Sequence, residues 1–347
     1  MANKRPQLPP TSTLTIGLDV GYGVVKAVTA DQVVTFPSVC GHAREIKFRT
    51  EEITTRYAGD QITDEDSSWF VGDLALSQLP PGELLRLRGR TANEATIGNV
   101  FRLRLAKVAI GKLLSGLQNS EVVHIRLATG LPVDHMRDAS ELKTALIGQH
   151  YIKTDTSELV ANIVEVMVMP QPYGTLYAQT LTPSGDINPT HVFTRTGVCD
   201  VGTYTVDLAL DDDGVYIDAE SGSAESGVYT AQERISAALE RDFRQKMPFK
   251  TVEEVLRTGC FRASGEVIDY SGEVQEALEP LRSATLNLMG DKWKAGRTVD
   301  VIYLSGGGAE LVQKIVSNAY AQTRLVKQAQ LANARGYLNY ACFKAQS

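Results

Sequence analysis

The sequence has 347 residues, of which 43% are apolar and 22% are charged, with a formal net charge of −6 and four cysteines. These values suit a globular protein of about two domains, and they argue against a membrane-spanning protein, a disulfide scaffold or a protein that binds DNA through a large basic surface. The polar residues 1–13 predict a disordered tail and no secretory signal. The scattered cysteines favour a reducing cytoplasm.

Hydrophobic patterning predicts alternating strands and helices in the first half of the chain. The predicted elements are strands at 14–20, 24–29, 33–39, 69–71, 122–129 and 159–169, and helices at 96–117, 137–148 and 174–181. Residues 183–196 are rich in Pro, Gly, Asn and Thr, which is typical of a linker. We therefore expect a domain boundary in this stretch.

The strand pattern restarts after this linker. Strands are predicted at 197–202, 203–210, 214–220 and 299–305, and helices at 227–247, 274–288, from 309, and at 331–345. The run Asp211-Asp212-Asp213-Gly214 predicts a hairpin turn. It lacks the spacing and the terminal glutamate of a calcium-binding loop.

Each half opens with the same local pattern, a strand that ends in Asp-x-Gly. Asp19 precedes Gly21 in the first half, and Asp200 precedes Gly202 in the second. A tight turn of this kind can direct backbone N–H groups at a phosphate, and we expect glycine there for a positive φ and a close approach to the ligand. An aspartate beside a phosphate indicates a divalent cation, held through water. Lys26 can neutralise phosphate charge.

A third glycine-rich segment follows the last predicted buried strand. Ser305 precedes Gly306-Gly307-Gly308, and a helix is predicted from Ala309. Backbone without side chains would let a flat adenine and its ribose lie close to the chain near a helix N-terminus. A flexible connection is the simpler interpretation of this segment when it is taken alone.

The three elements, in this order, resemble the actin/sugar-kinase/heat-shock-chaperone ATPase superfamily. Shorter matches resemble the bacterial plasmid-partition actins of the ParM/StbA type. These matches are Thr35-Phe36-Pro37-Ser38, Phe70-Val71-Gly72-Asp73, Thr129-Gly130-Leu131-Pro132, Gly222–Val228 and Ala332-Asn333-Ala334-Arg335-Gly336-Tyr337. The resemblance implies an α/β fold of two lobes, 14–185 and 186–330, each with a ribonuclease H-like core. It also implies a C-terminal helix, 331–347, that returns to the first lobe, and ATP in the cleft.

The resemblance also implies roles for individual residues. Gln171 would orient the attacking water, with Glu165 and Glu225 as alternatives, and Asp19 and Asp200 would hold Mg²⁺ through water. The nucleotide would be bound by Gly21, Tyr22, Gly23, Lys26, Gly202, Thr203, Tyr204, Glu225, Gly227, Gly306, Gly307 and Gly308. His135 has no Ser or Cys pattern near it and is expected to be structural or exposed.

The implied function is a cytoplasmic ATPase that assembles into filaments and segregates plasmid DNA. The nucleotide would be ATP or GTP with Mg²⁺, and a DNA-binding adaptor protein would make the DNA contact, since the chain has no basic stripe. No contact with a membrane is expected. The alternatives are a small-molecule kinase on the same fold and an actin-like scaffold protein.

Overall fold

The computed structural model describes residues 13–48, 50–64, 67–87, 94–115, 121–191, 195–294 and 298–346. These residues form two compact units. Unit 1 contains the described residues of Met1–Leu131, His135–His191 and Asn333–Ser347, and unit 2 contains those of Pro132–Asp134 and Val192–Ala332. The predicted tail at 1–13 lies outside the described residues except for Thr13.

Unit 1 is built on a nine-stranded mixed sheet, with strand order β3-β2-β1-β7-β9-β8-β5-β6-β4. The strands are β1 Leu14–Val20, β2 Val24–Val28, β3 Val33–Pro37, β4 Cys40–His42, β5 Gln61–Asp64, β6 Ser67–Val71, β7 Glu121–Leu131, β8 Gly148–Thr154 and β9 Glu158–Pro170. The helices are α1 Glu51–Arg56, α2 Gly72–Gln78, α3 Glu94–Leu113, α4 Ala139–Leu146 and α5 Gln171–Thr180. In the core, Leu105 and Val108 of α3 pack with Ile16 of β1 and Ile125 of β7.

Unit 2 is built on a smaller sheet with order β12-β11-β10-β16-β17, with β13 paired to β11. The elements are β10 Arg195–Val201, β11 Val206–Asp212, β12 Val215–Tyr216, β13 Gly222–Ala224, α6 Val228–Phe243, α7 Phe249–Thr258, β14 Cys260–Ala263, β15 Glu266–Asp269, α8 Ser271–Trp293, β16 Val301–Ser305, α9 Ala309–Ala319 and β17 Thr323–Leu325. Met289 and Trp293 of α8 pack with Leu208 of β11 and Ile302 of β16. The final helix, α10, runs from Ala332 to Gln346.

Two predicted strands of unit 2 were wrong in detail. The second strand begins at Val206 and not at 203, because residues 202–205 form the turn. The strand predicted at 214–220 is reduced to the two residues of β12, and a 3-10 turn at Asp218–Glu220 follows it. The predicted turn before β12 is present, and Gly214 N–H donates to Asp211 Oδ1 at 2.9 Å.

The centres of the two sheets share one arrangement of three strands. In unit 1, β1 pairs antiparallel with β2 and parallel with β7. In unit 2, β10 pairs antiparallel with β11 and parallel with β16. Even the register corresponds, since Asp19 lies opposite Lys26 and Asp200 lies opposite Asp207. The sequence repeat of the two Asp-x-Gly turns is therefore a structural repeat.

Helix α10 packs on unit 1 with backbone against backbone. A Cβ atom built on Gly17 of β1 would overlap Ala334 O, and one on Gly336 would overlap Gly174 O of α5. Tyr337 is fully buried, and its hydroxyl fills the space beside Gly130 of β7. Glycine is required at these positions because even a methyl group would have no room.

We expect Gly336→Ala to destabilise the protein by about 3 kcal/mol, because the new methyl group would push α10 away from Gly174. Gly290→Ala in α8 is the matched control, since a Cβ there would meet nothing within 4 Å. The control should stabilise by up to about 1 kcal/mol through helix propensity. Urea unfolding measures both, and equal stabilities for the two variants would contradict the close packing of α10.

Asp60 joins α2 to α3 in unit 1. Its Oδ1 lies 2.7 Å from Lys112 Nζ, and its Oδ2 accepts the N–H of Leu74 in the first turn of α2 at 3.3 Å. Burial raises the pKa of this carboxyl from 3.8 to about 6, although Lys112 opposes the shift. The folded state therefore binds the Asp60 proton more tightly than the unfolded chain does.

The contribution of Asp60 to stability should consequently fall as the pH rises from about 4 to about 6, and stay constant above that range. We expect the unfolding free energy of the wild type, minus that of Asp60→Asn, to decrease by up to about 3 kcal/mol over this interval, at about 1.4 kcal/mol per pKa unit. Chemical unfolding at several pH values measures the difference. A difference that grows with pH would mean that attraction to Lys112 exceeds the cost of burial.

Candidate functional site

In unit 1 the candidate site is centred on Asp19, near the end of β1. Asp19 is 2% exposed, its Oδ2 accepts a hydrogen bond from Lys26 Nζ at 2.8 Å, and its Oδ1 accepts one from Gln171 Nε2 at 3.3 Å. Lys26 reaches Asp19 because the two residues are directly opposite each other in the β1–β2 pair, where side chains share a face. A buried carboxylate is thus held by one cation and one neutral amide.

Parallel pairing brings Gln171 to this place. Strand β9 runs parallel to β7, which runs parallel to β1, so the carboxyl ends of these strands meet at one edge of the sheet. Pro170 ends β9 and is the N-cap of α5, which makes Gln171 the first residue of the helix. The predicted helix start at 174 was therefore three residues too late. Gln171, the candidate water-orienting residue, lies at the N-terminus of α5 and is 9% exposed.

The turn after Asp19 is fixed by the end of β3. Ser38 N–H donates to Gly23 O at 2.9 Å, and Ser38 Oγ donates to Gly21 O. These two bonds explain the serine of the Phe-Pro-Ser segment noted in the sequence. Tyr22 in the same turn places its hydroxyl 3.4 Å from His135 Nδ1, so His135 contacts the turn through a side chain.

The expectation of a positive φ at the glycines of the two Asp-x-Gly turns was wrong, since none of Gly21, Gly23 and Gly202 has one. Among the described glycines of the candidate site, Gly306 alone has a positive φ, of 90°. Gly21 is needed for space instead, since a Cβ there would lie 3.0 Å from Lys26 Nζ and from Val24 O. At Gly202 the corresponding atom would lie 3.1 Å from Thr205 O, which closes its own turn.

In unit 2 the candidate site is centred on Asp200, which is 6% exposed. Its parallel partner on β16 is Ser305, and the next residue, Gly306, lies so close that a Cβ on it would overlap Asp200 Oδ1. Ser305 Oγ is buried and has no hydrogen-bond partner within the described parts of the chain. A buried hydroxyl of this kind calls for a polar partner, which a ligand or a water molecule would supply.

The turn at 202–204 is attached to the start of α6. Val228 N–H donates to Gly202 O at 3.1 Å, and Tyr229 N–H donates to Thr203 O at 2.8 Å. Gly227 precedes α6, and a Cβ on it would lie 2.5 Å from Tyr204 N. Tyr204 and Tyr229 also pack ring against ring, with centroids 4.7 Å apart. The predicted residues Gly202, Thr203, Tyr204 and Gly227 are therefore in one place.

The Gly306–Gly308 loop joins the same group. Gly308 N–H donates to Val201 O at 2.9 Å, at the end of β10, and a Cβ on Gly308 would lie 2.5 Å from Val228 Cγ2 of α6. Gly307 is more open, since its nearest neighbour would be Gln330 Nε2 at 3.8 Å. Unit 2 thus brings the second Asp turn, the start of α6 and the glycine loop together around Asp200.

Asp207 was not predicted as a site residue from the sequence. It lies opposite Asp200 in the β10–β11 pair and is 2% exposed. It accepts hydrogen bonds from Thr205 Oγ1 at 2.7 Å, from Val133 N at 3.2 Å and from Ser223 Oγ, and burial raises its pKa above the usual value. The signal was available, because Asp207 follows Asp200 at the spacing with which Lys26 follows Asp19.

Two residues were predicted as alternatives to Gln171. Glu165 is on β9, 45% exposed, with Oε2 2.6 Å from Arg126 Nε, so it forms a surface ion pair. Glu225 is exposed in the segment before α6. Within the described residues, no group of three or more His, Cys, Asp or Glu side chains could hold a metal ion directly. The assignment of water-mediated metal binding to Asp19 and Asp200 stays a prediction.

Comparison with known families fits this arrangement. Residues 17–174 match the family of actin-like protein N-terminal domains, and residues 198–318 match the C-terminal domain of the archaeal MreB-like actin homologues. The chain is an actin-like protein. The mixed α/β fold of two actin-like domains agrees with the fold predicted from the sequence.

Solved structures show the same fold at low sequence identity. A ParM protein of Clostridium botulinum, solved as a 15-stranded filament, is 21% identical over 95% of this chain and 99% of its own, with a TM-score of 0.75. An archaeal actin homologue in complex with ADP is 18% identical over 96% and 100%, with a TM-score of 0.75. Apo psk41 ParM is 18% identical over 97% of this chain and 99% of its own, with a TM-score of 0.70.

Comparison with curated proteins gives no match. Among the described residues, no helix is long and apolar enough to cross a membrane.

Gly306→Ala tests the geometry around Asp200. The substitution places a methyl group on the carboxylate and on Val201 O, at a φ of 90° that disfavours alanine, so we expect a loss of about 2 kcal/mol or more in stability. Gly307→Ala is the control, since its Cβ would have ordinary contacts, and it should change stability by less than about 1 kcal/mol. Thermal unfolding of the two variants compares them, and equal losses would contradict the described loop.

Proposed function

We propose that this chain binds ATP with Mg²⁺, hydrolyses it slowly, and assembles into filaments that segregate plasmid DNA. The observation that carries the proposal is the repeated Asp turn. Each unit presents a buried aspartate beside a glycine turn at the end of a central strand, in the same register, and unit 1 adds Gln171 within hydrogen-bond distance of Asp19.

The residues present suit a magnesium nucleotide. Carboxylate oxygens are ligands that Mg²⁺ accepts directly or through water, and Asp19 and Asp200 are both buried at turns without bulky side chains. The hydroxyl of Ser305, buried without a partner in the described chain, could also serve a polar ligand. When bound, Mg²⁺ would supply neutralisation of phosphate charge. GTP has the same phosphates, and the choice of base would depend on the glycine loop of unit 2.

In the proposed reaction, the protein positions groups and stabilises charge. Lys26 would share its charge between Asp19 and the phosphates, and the backbone of Gly21–Gly23 and of Gly202–Thr203 would donate hydrogen bonds to them. Gln171 would orient the attacking water. Because its amide is neutral, Gln171 cannot remove a proton as a strong base does, and this favours slow hydrolysis. Slow hydrolysis suits a filament whose subunits stay assembled until their ATP is hydrolysed.

Filament assembly is supported by the relatives of this fold. The ParM of Clostridium botulinum forms a filament, and a second ParM was solved as a mutant that does not polymerise. Head-to-tail contacts that do not close into a ring give open filaments of one chain type. The net charge of −6 agrees with an adaptor protein making the DNA contact. The proposed place of action is the cytoplasm of a bacterial cell, because the scattered cysteines favour a reducing compartment.

A small-molecule kinase is the second candidate, and Asp207 is the observation that favours it. A buried carboxyl with a raised pKa is suited to proton transfer from a substrate hydroxyl. However, Asp207 is held by Thr205, Ser223 and Val133, which limits its freedom to meet a substrate. A kinase would also need a second substrate to accept the phosphate, whereas in the filament proposal the phosphate acceptor is water.

Light scattering and phosphate release, measured together after addition of Mg²⁺ and ATP, test the proposal. The wild type should show a rise in scattering that decays as phosphate appears. Gln171→Ala should still assemble but release phosphate about 10- to 100-fold more slowly, because the water loses its orienting amide. Asp200→Ala should do neither. Gln179→Ala, a change on the same helix α5, is the matched control and should behave as the wild type.

The contrary outcomes are equally definite. No scattering over a wide range of protein concentration, with phosphate transfer only when a sugar or another acceptor is added, would replace the filament with the kinase. Normal hydrolysis by Gln171→Ala would remove Gln171 from the proposed mechanism.

A further inference from the structure

The first turns of α10 contact every element that carries the candidate catalytic groups of unit 1. Asn333 Oδ1 accepts hydrogen bonds from the backbone N–H of Thr175 at 3.1 Å and from its Oγ1 at 2.8 Å. Tyr337 Oη donates to Gln171 O at 3.4 Å. Both partners lie in the first turns of α5, the helix that begins with Gln171.

These contacts are buried and leave little freedom for movement. Asn333 is 6% exposed, and Thr175 and Tyr337 are 0% exposed. A Cβ on Gly174 would lie 2.6 Å from the Cα and O of Asn333 and from Cε1 of Tyr337. Helix α10 also contacts β1 at Gly17, two residues before Asp19. Helix α10 therefore touches both the strand that carries Asp19 and the helix that carries Gln171.

We propose that Asn333 and Tyr337 are positioning residues, which set the distance between Gln171 and Asp19 and thereby the rate of hydrolysis. The inference rests on the proposed function, since it concerns the reaction at Gln171. The Gln171–Asp19 contact is a single hydrogen bond of 3.3 Å between groups far apart in sequence. A shift of α5 by a fraction of an ångström would break it, and displacements of about 1 Å can change rates by about 100-fold.

Another contact of α10 with α5 provides an internal control. Asn339 Nδ2 donates to Leu181 O at 3.0 Å, at the opposite end of α5 from Gln171, and Asn339 is 5% exposed. Asn333 and Asn339 are thus the same residue type on the same helix and are similarly buried, and they bond to α5 and to its C-cap residue respectively. Loss of either leaves a buried polar group without its partner and should destabilise the fold, but loss of Asn333 alone should affect catalysis.

Steady-state phosphate release and the affinity for a fluorescent ATP analogue are measured for Asn333→Ala and Asn339→Ala. We expect Asn333→Ala to lower the rate at saturating ATP about tenfold with an affinity within about twofold of the wild type. Asn339→Ala should leave both within about twofold. Equal effects of the two variants on the rate would overturn the proposal, since they would reflect general loosening of α10.

A milder pair covers the case in which Asn333→Ala fails to fold. Thr175→Val keeps the shape of the buried side chain and removes its hydroxyl, whereas Thr175→Ser keeps the hydroxyl that bonds Asn333. We expect the valine variant to be slowed about threefold and the serine variant to recover the wild-type rate. A valine variant as fast as the serine variant would overturn the proposal.

A double-mutant cycle decides whether the effect passes through Gln171. In a Gln171→Ala background, Asn333→Ala should slow phosphate release no further, because the group that it positions is gone. The same slowing in both backgrounds would overturn the proposal.

Hydrogen exchange separates this inference from the proposed function. Asn333→Ala should increase amide exchange of residues 171–176 at least about tenfold, and Asn339→Ala should not. If the wild type releases no phosphate, the proposed function fails, and the exchange of 171–176 alone then decides whether Asn333 holds the Gln171 segment. Unchanged exchange would overturn the positioning role.

Discussion

The arrangement of candidate catalytic groups in unit 1 depends on one constraint, the contact of α10 with the bare backbone of β1 and α5. Glycine at 17, 174 and 336 lets the helix lie where any side chain would overlap a carbonyl oxygen or backbone atom. Asn333 and Tyr337 then reach the start of α5, and Gln171 reaches Asp19. Close packing transmits position well because a core has few alternative arrangements. The last helix of the chain thus belongs to the site, although it carries none of the groups proposed to react.

The two repeated hairpins differ in the residue opposite the aspartate. Asp19 faces Lys26, which forms an ion pair with it at 2.8 Å, and Asp200 faces Asp207, whose carboxyl is satisfied by two hydroxyl groups and a backbone N–H. The two hairpins therefore share the same backbone pairing and register, but the residue opposite the aspartate is basic in unit 1 and acidic in unit 2. For a magnesium nucleotide this difference is reasonable, since phosphate is best met by a cation and Mg²⁺ by carboxylate oxygens.

Most of the fold could be predicted from the sequence. The spacing of apolar residues located the central strands and the long helices within a few residues. Burial of one face of a strand or helix makes apolar residues recur at a regular spacing, which can be read from a single sequence. The two Asp-x-Gly turns and the glycine loop also emerged as sequence patterns, and their order indicated an actin-like fold. Short elements were less predictable: β12 is only two residues long, and β14 and β15 form a separate hairpin between the helices predicted at 227–247 and 274–288, where no element was predicted.

The sequence by itself therefore determined which residue types end the central strands, and hence Asp19, Asp200 and the fold class. Only the tertiary structure decided what those residues contact. Asp207 became significant through strand register, Asn333 through the packing of α10, and Gly21 through the position of Lys26. The physical reason is that local sequence fixes backbone preference and burial, both of which act over a few residues. Contacts between elements far apart in the chain depend on sheet register and helix packing, which no local pattern encodes.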